Sequence, residues 1–169
     1  MENKIIKISV DTLGSETSVE NLIRGLNTSF LRNENYFFKI FGNQEKIGKE
    51  LNKYSELKNN VEIVDCTEIV EMNDKPSDVM RTKKDSSMYR SIISVLETDS
   101  QAVLSCGNTG ALMALSLLNI KPLETIKRPA IASIWPNTKG ESIVLDLGAN
   151  TKLNSQYLVD NAILGSSLA

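Results

Sequence analysis

Short β-type apolar runs alternate along the chain with stretches whose apolar residues recur at helical spacing. Lys4 to Val10 (KIIKISV) reads as a strand, broken by Asp11-Thr12-Leu13-Gly14-Ser15. Val19, Leu22, Ile23, Leu26 and Phe30 then follow the helical period, and Thr17 with Glu20 has capping-box spacing. Tyr36 to Phe41 is a second strand ended at Gly42. Gln44 to about Leu57 is a polar helix with Ile47, Leu51 and Tyr54 on one face, and Val61 to Asp65 is a third strand. This β-α-β-α-β order predicts a parallel sheet with crossover helices.

The centre changes character. Thr67 to Lys84 is polar and interrupted by Pro76, which predicts a long connection holding a short helix, and connections of that length are often functional. Asp85 is placed to cap a helix with Met88, Ile92, Val95 and Leu96 on one stripe. Ala102 to Leu104 is a strand, and Thr109 to Leu118 a strongly apolar helix. Ala130 to Trp135 and Ser142 to Leu145 are strands joined by PNTKGE, a link so short that it predicts an antiparallel pair and hence a mixed sheet. Trp135, Met113 and the Leu112 to Leu118 run are expected in the core. Gln156 to Ala169 is a last helix, apolar on more than one face, which calls for cover on two sides by more chain or by a partner.

Composition narrows the function classes. The 41% hydrophobic and 24% charged content is that of a globular chain. A formal net charge of −2 gives no long-range attraction to nucleic acid. The two cysteines, Cys66 and Cys106, are too few for a disulfide framework and read as reduced cytosolic thiols. There is no His, so the commonest general base and metal ligand is missing. The amino terminus runs straight into a strand rather than a signal peptide, and no apolar run is long enough to span a bilayer, so membrane contact is expected to be peripheral.

In open α/β sheets ligands gather beyond the carboxyl ends of the strands. Three such ends carry small or polar residues: Asp11 to Ser15, Ser105 to Gly110, and Asp146 to Asn150. At Ser105-Cys106-Gly107-Asn108-Thr109-Gly110 a helix begins near Thr109 and directs backbone N–H groups at the turn. Two glycines allow close approach, and the side chains of Ser105, Asn108 and Thr109 add neutral hydrogen-bonding groups, a combination suited to phosphate. The plainer reading is a tight turn in which Asn108 caps the helix. The segment is neither a Walker A loop nor a dinucleotide fingerprint. Asp146 and Asn150 are suited equally to a ligand or to stabilising their own loop. Arg81, Lys83 and Lys84 before Asp85-Ser86-Ser87 form either a solvated charged face or an anion clamp at a helix start. A thiol nucleophile at Cys106 is disfavoured, because no His is present to serve as its base.

Four linked segments resemble one family in order and spacing: DKPSDVMRTKKDSSM (Asp74 to Met88), SCGNTGALMAL (Ser105 to Leu115), Lys127-Arg128-Pro129-Ala130 and LDLGAN (Leu145 to Asn150). They resemble the PlsX-type phosphate acyltransferases, the fatty acid/phospholipid synthesis proteins. The resemblance runs from Lys4 to the end of the chain. It implies a three-layer α/β/α architecture with a mixed, mostly parallel sheet, similar to the isocitrate and isopropylmalate dehydrogenases, of which this chain holds the amino-terminal part of a single domain. It implies formation of acyl phosphate from acyl-[acyl carrier protein] and inorganic phosphate for phosphatidic acid synthesis. No cofactor or metal is implied. A cytoplasmic homodimer associated peripherally with the membrane is. On this reading phosphate sits on Ser105, Gly107, Asn108, Thr109 and Gly110, aided by Arg81, Lys84, Ser86 and Ser87, with Asp146, Gly148 and Asn150 lining the pocket. Lys84, Asn108 and Asp146 are the catalytic candidates, and Asp11 and Gly14 weaker binding candidates. Ser15 stands where the family usually has Gly, Ser18-Val19 where Ala-Pro is usual, and Cys106 where Ala is usual. Related alternatives are acetyl or butyryl transfer between phosphate and coenzyme A, and a non-catalytic phosphate- or carrier-binding module.

Overall fold

The computed structural model describes residues 4–148 and 154–169. The chain divides into two compact units, Met1–Ile120 and Lys121–Ala169. The first unit runs β1 (Ile6–Asp11), α1 (Val19–Arg32), β2 (Tyr36–Gly42), α2 (Gln44–Leu51), α3 (Ser55–Lys58), β3 (Val61–Asp65), α4 (Pro76–Thr82), α5 (Ser87–Leu96), β4 (Ala102–Ser105) and α6 (Thr109–Asn119). Its four strands form one parallel sheet in the order β3-β2-β1-β4. The chain therefore steps outward from β1 through β2 to β3, then returns across the sheet to place β4 on the other side of β1. That reversal makes the crevice beyond β1 and β4 the topological switch point.

Alternation along the strands assigns the two faces. Ile8, Val10, Phe38, Ile40, Val61 and Ile63 pack with Leu22, Ile23, Leu26 and Phe30 of α1 and with Ile47, Leu51 and Leu57 of the α2–α3 segment. On the other face α5 crosses β1, β2 and β4, and Val79, Met88, Ile92, Ala111 and Leu115 form a second cluster with Val103. The sheet is thus flanked by helices on both faces, as the α/β class requires.

The surface that α5 turns to β1 is polar. Ser87, Ser91 and Ser94 are buried at helical spacing, opposite buried Ser9 and Asp11. Ser9 Oγ donates to Ser100 Oγ at 2.8 Å, and Ser94 Oγ lies 3.3 Å from the same oxygen. Small hydroxyls let the helix lie close to the strand while satisfying one another. Of the expected α5 stripe, Met88 and Ile92 are buried, whereas Leu96 is exposed.

Helix ends differ from expectation in detail. Ser18, not Thr17, caps α1, its side chain accepting from the Asn21 N–H at 3.2 Å. Ser86 rather than Asp85 caps α5. The helix expected over 44–57 is two, parted at Asn52 to Tyr54. In α6 only Ala111 and Leu115 are buried and Leu118 is exposed, so the Leu112 to Leu118 run is core on one side alone.

In the second unit β5 (Ala132–Asn137) and β6 (Gly140–Leu145) form an antiparallel hairpin, followed by α7 (Ser155–Leu168). The predicted antiparallel pair is a two-stranded sheet of its own. Helix α7 packs closely on β6 at Gly165, where a Cβ would stand 2.9 Å from Leu145 Cδ1 and require that side chain to shift. Every residue of β5 is exposed, including Trp135, which is not a core residue of this unit because α7 lies against the other strand. Leu158, Val159 and Ile163 of α7 are exposed too. No helix among the described residues is long and apolar enough to cross a membrane.

Candidate functional site at the sheet switch point

Asp11 and Ser105 are register partners on neighbouring parallel strands, so the last residues of β1 and β4 present their side chains together at the switch point. Ser105 Oγ donates to Asp11 Oδ2 at 2.7 Å, Ser87 Oγ donates to Asp11 Oδ1, and the Leu13 N–H donates to Oδ1 at 3.3 Å. Asp11 is 1% exposed, and burial pushes its carboxyl above the usual range while the two serines and the Leu13 N–H pull it down. The carboxyl is the joint between two strand ends and the start of α5.

Ser105 carries the arrangement into the turn, its Oγ accepting from the Gly107 N–H at 3.1 Å. Gly107 is confined: a Cβ there would sit 3.1 Å from Met88 Cε and 3.6 Å from Asp11 Oδ2. Asn108 caps α6, its Oδ1 accepting from the Ala111 N–H at 3.0 Å. Its Nδ2 faces the carbonyls of Glu71, Met72 and Asp74 at 3.1, 3.0 and 3.0 Å. The amide therefore ties the 71–74 loop to α6. The Leu112 N–H makes the first intrahelical bond, to the Asn108 carbonyl at 2.9 Å, which leaves the Thr109 and Gly110 N–H groups ahead of it on exposed residues. With the helix dipole behind them, these two groups are the part of the turn suited to an anion.

The start of α5 is closed by comparison. Ser86 is buried, donating to the Lys83 carbonyl at 2.7 Å and accepting from the Tyr89 N–H at 3.3 Å. Ser87 spends its hydroxyl on Asp11 and its N–H on the Glu68 carbonyl at 3.4 Å. Both serines expected in an anion clamp thus point inward. Arg81 pairs with Asp78 at 3.4 Å on the surface, and Lys84 is exposed. Lys83 reaches Asp74 Oδ2 and the Ile69 carbonyl, and holds the Asp74 carboxyl below the usual range.

Gly14 sits at φ +71°, where a Cβ would fall 1.9 Å from the Val70 carbonyl oxygen, so the turn after β1 packs directly on the 70–74 loop. Asp146, at φ +56°, and Gly148, at φ +90°, belong to the second unit, where the Asp146 N–H donates to the Ile131 carbonyl at 2.7 Å. Asn150 lies outside the described residues. Cys106 is exposed; Cys66 is buried, its thiol pushed up by burial and pulled down by Arg90, whose Nη1 lies 3.4 Å from the sulfur. A groove of about 410 Å³ lies over β2 and β3, away from the turn. Of the two cations lining it, Lys39 is paired with Glu62 and Asp99 at 3.3 and 3.2 Å, and Arg90 donates to the Asp65 carbonyl at 2.9 Å.

Sequence reasoning named Asp11, Ser87 and Ser105 separately but missed their junction, because the residues are 76 and 94 positions apart. It missed Glu71, Met72 and Asp74 as partners of Asn108 for the same reason. The polarity of Thr67 to Lys84 was the one available signal.

A helix-flanked parallel sheet with a glycine-bearing turn and a helix start at its switch point defines an α/β protein. The particular family follows from comparison: the fatty acid synthesis protein model matches residues 6–169, and the chain belongs to that family. A protein of Pelagibacter ubique named phosphate acyltransferase is 42% identical over 98% of this chain and 49% of its own length. Proteins of the same name from Lactococcus lactis and Azorhizobium caulinodans are 37% and 39% identical over 97% of this chain, and 49% and 46% of their own lengths. The chain thus spans about half the length of the curated relatives it matches.

Proposed function

We propose that the chain is the amino-terminal part of a single-domain phosphate acyltransferase that forms acyl phosphate from acyl-[acyl carrier protein] and inorganic phosphate, on the route to phosphatidic acid. The observation that carries this reading is the open α6 start at the switch point, in a chain matched along nearly its whole length by relatives of that name. A phosphate oxygen attacks the thioester carbonyl carbon, and the tetrahedral oxyanion collapses with cleavage of the C–S bond. The carrier thiolate leaves and takes a proton, and acyl phosphate is the second product. Phosphate is itself the nucleophile, so neither a Ser-His pair nor an acyl-cysteine is needed. The protein's task is to orient phosphate and to compensate developing charge.

On this reading the Thr109 and Gly110 N–H groups receive phosphate oxygens, aided by exposed Lys84. A homodimer with peripheral contact to the cytoplasmic membrane is part of the same reading. The test is loss of the acyl thioester from acyl-[acyl carrier protein] with and without phosphate. It is run on this chain and on the natural protein that carries it. Phosphate-dependent loss with acyl phosphate as product is expected; turnover only with acyl-coenzyme A, or binding without turnover in the natural protein, would sink the proposal.

A further inference from the structure

Carboxylates only accept hydrogen bonds, so both serine hydroxyls that meet Asp11 must aim their protons at it. For Ser105 this has a second effect. Its single proton goes to Asp11 Oδ2 at 2.7 Å, which holds the oxygen where it accepts from the Gly107 N–H 3.1 Å away. Asp11 therefore fixes the position of the oxygen that receives the Gly107 N–H, without touching the turn's outer surface. All its polar contacts are internal: Ser87, Ser105 and the Leu13 N–H share its two oxygens.

We propose that Asp11 is a positioning residue for the anion site, acting through Ser105 and the Gly107 N–H to fix the peptide planes leading into α6. Its place at the register partner of Ser105 makes this possible, since both strand ends move as one sheet. A Cβ at position 107 would stand 3.1 Å from Met88 Cε and 3.4 Å from Ser105 Oγ, so the bridged turn is closely packed. The Thr109 and Gly110 N–H groups then arrive ready-oriented, and the ligand need not order them on binding. Asp11 is thereby removed from the set of direct phosphate ligands. The inference rests on the phosphate reading given above.

The test is a double-mutant cycle in the natural protein carrying this sequence, using Asp11→Asn, Ser105→Ala and the pair, with phosphate KM, kcat and acyl-donor KM measured for each. The expected result is a phosphate KM raised about tenfold in each single variant. The acyl-donor KM stays near wild type, and the double variant is no worse than either single one, because the effect passes along one path. Ser105→Thr, which keeps the hydroxyl, should restore most of the phosphate KM. Additive effects would make Asp11 a direct ligand and overturn the proposal. So would an Asp11→Asn enzyme with a lowered melting temperature but an unchanged phosphate KM, the outcome of a purely structural role. Should Asp11→Asn not fold, Ser105→Ala decides, and an unchanged phosphate KM there overturns the proposal. Absence of any phosphate-dependent turnover in the wild-type protein would overturn the functional reading first, and this inference with it.

Discussion

Replacing Asn108 tests what holds the turn in place. Its Oδ1 caps α6, and its Nδ2 meets three carbonyls of the 71–74 loop. An amide nitrogen has two hydrogens, so those three contacts amount to two full bonds. Loss of the cap costs about 1 kcal/mol, and two hydrogen bonds to a side chain this deeply buried cost roughly 1 kcal/mol each. Asn108→Ala should therefore lose about 3 kcal/mol, which in a chain of this size lowers Tm by about 6–12 °C. Urea titration of the 169-residue chain, followed by helical circular dichroism, measures it. Asn108→Ser separates the two parts, since a serine still caps but cannot reach three carbonyls; it should lose roughly 2 kcal/mol. Asn108→Asp keeps the cap and sets a carboxylate against carbonyl oxygens, so it should be worse than Ser. A Ser variant within about 0.5 kcal/mol of wild type would refute the clamp. A kinetic effect of Asn108→Ala alone would not identify a phosphate ligand, because the same substitution releases the loop.

Two further outcomes follow from the same junction. Gly14→Ala places a methyl group 1.9 Å from the Val70 oxygen at a positive φ, so the turn after β1 must separate from the 70–74 loop; a stability loss above about 2 kcal/mol by urea titration is expected. The Asp11 carboxyl is raised by burial above its unfolded value of 3.8, so the folded state holds that proton longer and the group's contribution to stability falls as pH rises through the interval between the two. Wild type should accordingly lose stability relative to Asp11→Asn as pH rises from 3.8 toward neutrality, and a difference independent of pH would contradict the assignment.

Local pattern carried most of the architecture. Strand β2 and helix α1 were legible because their apolar residues follow one period each and face one core. The break at Asn52 to Tyr54 was not, because neither Gly nor Pro marks it. At the start of α1 two adjacent residues, Thr17 and Ser18, both suit a cap, and only the chain's entry angle chooses Ser18. The polar stripe Ser87, Ser91 and Ser94 was hidden for a different reason: hydroxyls look solvent-facing until a strand distant in sequence supplies Ser9 and Asp11 opposite them. Trp135 misled in the opposite sense, since a large aromatic in a β run reads as core and its strand has nothing of its own unit over it. The turn at Ser105 to Gly110 was legible as chemistry, and the division of labour within it was not. Thr109 and Gly110 face outward, whereas Ser105, Gly107 and Asn108 serve the scaffold.

The line of hydroxyls between α5 and β1 has unequal ends. Near the switch point a charge dictates where each proton lies, so Ser87 and Ser105 have one orientation apiece. At the far end Ser94 and Ser100 meet without any ion, and either can donate to the other. One proton arrangement holds at one terminus of the helix, and two satisfy the hydroxyls at the other. Helix α5 is therefore fixed by a charge at the end beside the turn and by neutral hydroxyls alone at the end away from it.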